Sequence, residues 1–123
     1  MTGQNAAQAA ARLASLRELE AKVQHVHGMV EQFAAAAVRG ADASLSIPLR
    51  RAFGRLKIAF LGEGFDQLSQ LAGAMEIAAG RGSAASQKVR ILREGVGSMR
   101  HQIELEQRAV QREQAERREE GDG

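Results

Sequence analysis

Eight residues, RRAFGRLK at 50–57, hold four basic side chains and no acidic one. Arginine and lysine at this density suit carboxylates or phosphates of a partner, which they hold through charge-assisted hydrogen bonds. In their midst stands Gly54, inside a stretch that otherwise reads as helix, where glycine in place of alanine costs about 1 kcal/mol. The other residues with chemical potential are three histidines. His25 and His27 are two apart and so point to different sides of a helix, and His101 stands alone. Two metal ligands on one helical face need a spacing of three or four, so no metal site is expected. His101 with Glu94 or Glu104 reads as solvated surface rather than a proton-transfer pair.

No cluster of nucleophile, base and oxyanion donors is legible. The glycine-bearing stretches GRGS, GEG and GVG lack the strand-then-helix context that gives a phosphate loop its meaning. The chain has no cysteine, which removes disulfides, thiolate chemistry and cysteine-ligated zinc. A non-enzymatic protein without cofactor or metal is therefore expected. The absence of cysteine also fits a cytoplasmic location, and no apolar run is long enough to cross a bilayer. The N-terminal stretch is expected to be a helix start rather than a targeting segment.

The elements that would position the basic cluster are helices. Alanine, leucine, arginine, glutamate and glutamine dominate 123 residues that contain one proline and no Trp or Tyr, a composition poor in strand formers. A first apolar stripe runs Leu13, Leu16, Val23, Val26, Val30, Phe33 and Ala37, with Gly28 as a candidate kink, and fades at VRGADAS. Ser46 as N-cap and Pro48 in the first turn open a second helix carrying Leu49, Phe53, Leu56 and Phe60. A third carries Phe65, Leu68, Leu71 or Ala72, Met75 and Ala79. A fourth starts near Ser83 and carries Val89, Leu92, Val96, Met99, Ile103 and Val110, with Gly95 and Gly97 unexplained. The pattern predicts an all-α, antiparallel four-helix bundle over 13–112, with long first and last helices. Residues 1–12 are expected to be a frayed start and 113–123 a charged disordered tail. Charge divides in the same way: 1–103 carries about +5 and 104–123 about −3 within a formal net of +2.

The spacing around Gly54 resembles that of histidine-containing phosphotransfer (Hpt) domains, helical bundles whose motif runs histidine, any residue, leucine, lysine, glycine, with a further glycine ten residues after the histidine. Laid on that motif, Gly54 takes the histidine position, Leu56 the leucine, Lys57 the lysine and Gly64 the later glycine. Phe65, Leu68, Leu71, Met75 and Glu76 follow in register without a gap. Two residues depart from it. Gly54 has no nucleophile, so phosphoryl relay through it cannot occur, and Ile58 replaces a small residue.

The resemblance implies a degenerate, pseudo-Hpt module in two-component signalling that docks a response-regulator receiver domain or a histidine kinase without phosphotransfer. Lys57 would lie near an acidic pocket of the partner, with Gly54, Ile58, Leu61 and Gly64 around it. Arg50 and Arg55 have no counterpart in the motif and are assigned to steering and rim contacts on electrostatic grounds. In this reading Gly54 lies at an exposed edge. In the alternative, it allows another helix or a partner backbone to approach closely. The near-heptad stripes of the first and fourth helices also suit a homo-oligomeric scaffold, and a homodimer is compatible with both readings. Nucleic acid is not expected, because the charge is modest and no aromatic residue is interleaved for base stacking.

Overall fold

The computed structural model describes residues 2–121. Four α-helices follow one another: α1 (Thr2–Val38), α2 (Ser46–Gly62), α3 (Asp66–Gly80) and α4 (Ala85–Gly121), with one 3₁₀ turn (Ala43–Leu45) before α2. Connections this short force neighbours to run antiparallel. The helices form a ring in which α2 leans on α3 and α1 on α4, while the α3–α4 and α1–α2 seams are thinner. The expected all-α four-helix bundle with long outer helices is therefore what the chain forms.

The stripes bury as their period dictates. Leu49, Phe53, Leu56 and Phe60 of α2 meet Leu16, Val23, Val30 and Phe33 of α1 and Leu92, Val96, Met99 and Ile103 of α4 in one apolar core. Three phenylalanines, Phe33, Phe53 and Phe60, are fully buried, each contributing about 1.5–3 kcal/mol by burial. Leu19 joins this core from outside the expected stripe, Ala36 is also buried, and Ala37 is half-buried.

Several local expectations change. The helix of α1 continues through Gly28, which is exposed and causes no break. Ser46 is the first residue of α2 rather than its cap, because the preceding 3₁₀ turn brings Leu45 to the cap position. Pro48 does fall in the first turn. The start of α1 and the end of α4 are helical across the segments read as frayed and disordered, apart from Met1, Asp122 and Gly123, which lie outside the described residues.

Those two ends are zipped together. Ala9, Leu13 and Val110 are buried between them, Arg117 donates to the carbonyl of Asn5 at 2.6 Å, and Arg12 reaches Glu106 at 3.5 Å. At about 1.5 Å per residue, α1 is roughly 55 Å long and α2 roughly 25 Å. The α2–α3 hairpin thus covers only part of the long pair, and Phe65 at its turn lies under the Arg12 guanidinium at 5.3 Å, a cation–π contact that marks where the four-helix section ends.

Candidate partner-binding site

The short turn between α2 and α3 fixes everything around the basic cluster. Gly64 holds φ +82° there, a conformation open to glycine and strained for other residues. The amide of Phe65 donates back to the carbonyl of Phe60 at 2.9 Å. The chain reverses in three residues and lays α3 along one flank of α2.

That flank is where Arg50, Gly54 and Lys57 lie, so the expected exposed edge at Gly54 is corrected: Gly54 is buried. The Glu76 carboxylate of α3 lies over it, in the space a Cβ would occupy, and accepts a hydrogen bond from Lys57 Nζ at 3.0 Å. Ser69 Oγ donates to the Lys57 carbonyl at 2.9 Å. A methyl group at Gly73 would lie 3.3 Å from Lys57 Cδ, and one at Gly80 3.0 Å from Arg50 Cδ. The basic stems of α2 therefore lie along one face of α3, at steps of four, three and four through Ser69, Gly73, Glu76 and Gly80, of which three are small and the fourth is the acid that pairs with Lys57. What Gly54 makes room for is the Glu76 side chain, not another backbone. The reason is that its flank, 100° per residue round from the core stripe, is the one the tight turn presents to α3.

The remaining expected site residues separate into three settings. Ile58 and Leu61 are exposed at 69% and 60%, and Gly64 is exposed in the turn. Lys57 is half-buried and paired. Arg55 lines the seam between α1 and α2 together with Arg51, and Ile58, three residues further along the same face, lines the next notch of that seam. Arg50, Arg51 and Arg55 take part in no ion pair among the described residues. Of the seven residues, Gly54 is buried and Lys57 half-buried against α3, while Arg50, Arg55, Ile58, Leu61 and Gly64 are exposed on α2 and the turn after it.

Glycine at 95 also gains a reason. The Met75 thioether of α3 occupies the space where a side chain at 95 would begin, so Gly95 lets α3 and α4 close on each other. Nothing approaches Gly97.

Elsewhere the charged groups serve the long pair. Glu31 of α1 receives two hydrogen bonds from Arg93 of α4, at 3.0 and 2.7 Å. These bonds hold its carboxyl below the usual carboxylate range, against a partial offset from desolvation, with the charges of Arg93 and His27 adding to the lowering. Lys88, buried at the start of α4, stands 5.6 Å from the Phe33 ring centroid. Among the described residues no group of three or more His, Asp or Glu could hold a metal ion, and no helix is long and apolar enough to cross a membrane.

Sequence reasoning missed the seam residues Lys22 and His25, which join Arg51 and Arg55 only through the fold. The small-residue steps on α3 were a signal present in the sequence for the tight α2–α3 contact. No family model, no curated protein and no solved structure matches this chain.

Proposed function

We propose that the protein is a non-catalytic docking module in the manner of a pseudo-Hpt domain, binding a receiver domain or a histidine kinase through the outer side of α2. The observation that carries it is the pair Ile58 and Leu61, two large apolar side chains left at 69% and 60% exposure on the helix that also bears the unpaired Arg50 and Arg55. An apolar centre beside a basic rim suits a partner surface that is apolar in the middle and acidic at its edge. The burial of Gly54 shifts the proposed contact away from position 54 itself and onto Ile58, Leu61 and the turn at Gly64. Lys57, its charge paired with Glu76, lies at the margin of that contact.

Purified full-length protein titrated against a panel of receiver and kinase domains from the same organism tests this. Binding of one member, weakened at least tenfold by Ile58→Asp with Leu61→Asp, is the expected result. A panel without a binder, or binding indifferent to those changes, overturns it. A phosphotransfer assay alongside is expected to label no histidine of this chain.

A second reading, a self-assembling scaffold, draws on the part of the α1–α4 pair that runs beyond the α2–α3 hairpin. Sedimentation separates the two: a scaffold must be a stable dimer or larger at micromolar concentration.

A further inference from the structure

We infer that the seam between α1 and α2 is a docking groove for an acidic amphipathic helix of a partner protein, a site that adjoins the Ile58–Leu61 surface through Ile58 and shares Arg55 with it. The tight fit of α2 against α3 leaves α2 standing off α1, and a groove of about 630 Å³ opens along the seam. Its floor is apolar, made by Val26 and Met29 of α1 and by Ala52, Leu56 and Ala59 of α2. Its walls carry Lys22, with the imidazole of His25 beside it, on α1 and the two guanidinium groups of Arg51 and Arg55 on α2, and no carboxylate lines it. None of these four side chains is in an ion pair among the described residues, although ion pairs join other parts of the bundle. Past Lys22 the adjoining notch carries Glu18 and Glu63, so the basic zone has a defined end.

Shape selects the occupant. Val26, Leu56 and Ala52 are exposed by only 3%, 2% and 8%, so the apolar surface that the trough offers comes from the half-buried Met29 and Ala59 and from the stems of the basic residues, and the trough lies open on its outer side. A small ligand is ordinarily enclosed over most of its surface, which a trough cannot provide. An amphipathic helix buries one stripe and leaves the rest in water. From Pro48 to Ala59 the trough is about 16 Å long, which three turns of a second helix cover. Arg51 and Arg55 are one turn apart, and Lys22 and His25 nearly so, a spacing that meets carboxylates one turn apart on either edge of a partner's apolar stripe. Charge complementarity on both walls thus specifies a helix with leucine-like residues at its centre and Glu or Asp on both flanks.

The test is fluorescence anisotropy of the full chain with a labelled 18-residue peptide bearing leucine at a and d and glutamate at e and g. Saturable binding is expected, weakened at least tenfold by Arg51→Glu with Arg55→Glu and equally by Lys22→Glu with His25→Glu. Circular dichroism should be unchanged in both, since exposed or half-exposed side chains carry the charge. Leu61→Asp is expected to leave the affinity within twofold, which separates this site from the proposed receiver surface. Raising salt from about 50 to 300 mM should weaken binding severalfold. Equal binding by a scrambled peptide of the same charge would reduce the groove to a non-specific basic patch and overturn the inference. So would loss of binding in Leu61→Asp with both charge reversals silent, or saturable binding of dodecyl phosphate in place of the peptide.

Discussion

The two flanks of α2 carry the same kind of side chain and end in opposite states. Towards α3, the stems of Arg50 and Lys57 lie over glycines, Lys57 is paired with Glu76, and Ser69 ties the two backbones together. Towards α1, Arg51 and Arg55 face Lys22 and His25 across an open trough with no acid between them. Helix–helix distance makes the difference. Small residues on α3 let the basic stems lie against it, whereas the α1–α2 seam is thinner and stays open over Val26, Met29 and Leu56. Lys57 is tied down on the closed flank, Arg50 keeps its head free at the edge of it, and Arg51 and Arg55 are available on the open one.

Removing the ridge common to both flanks has the largest effect. Phe53→Ala is expected to lower stability by about 3–5 kcal/mol in denaturant unfolding, because Phe53 is fully buried between them. Ser69→Ala probes the closed flank alone. The loss of one partly buried hydrogen bond to the Lys57 carbonyl should cost about 1 kcal/mol by the same measurement. A result near zero would mean that packing, not the hydroxyl, holds the flank shut.

Gly54→Ala sharpens the comparison further. Alanine gains about 1 kcal/mol of helix propensity but displaces the Glu76 carboxylate from Lys57, a part-exposed pair worth about 0–1 kcal/mol, so the net change should be within about 1 kcal/mol of zero. Made in a Glu76→Ala background, the same substitution should gain nearly the full propensity term, and a double-mutant cycle reads the difference. On the open flank, Arg51→Ala and Arg55→Ala should leave stability within about 0.5 kcal/mol, as expected of side chains with no partner to lose. A larger loss in thermal unfolding would show that the open flank is structural as well.

The smallest effect concerns neither flank but the long pair that frames them. The carboxyl of Glu31 is held low in the folded state by the Arg93 bonds. Its contribution to stability is therefore present above the unfolded-state pKa and disappears as pH falls through the folded-state value. Arg93→Ala should remove that slight acid-limb dependence, read as a flatter unfolding midpoint below about pH 5.

The core was legible because a helix repeats every 3.6 residues and apolar side chains must share one face. Leu49, Phe53, Leu56 and Phe60, like Val89, Leu92, Val96, Met99, Ile103 and Val110, bury as their spacing required. Gly54 was not legible. Its position on the wheel places it beside the core stripe, and nothing in α2 alone says whether that side meets water or another helix. The helical ends were misjudged for a related reason: with no apolar stripe of their own beyond Val110, residues 113–121 owe their place to the neighbouring α1, through contacts such as Arg117 on Asn5.

The sequence by itself determined four helices, their order and the face each turns inward, since local propensity and periodicity are properties of consecutive residues. Only the tertiary structure decided which flank of α2 is closed and which is open, because that depends on how near two axes come. Residues far apart along the chain set that nearness, as Gly73 with Lys57 and Gly80 with Arg50 do on the closed flank.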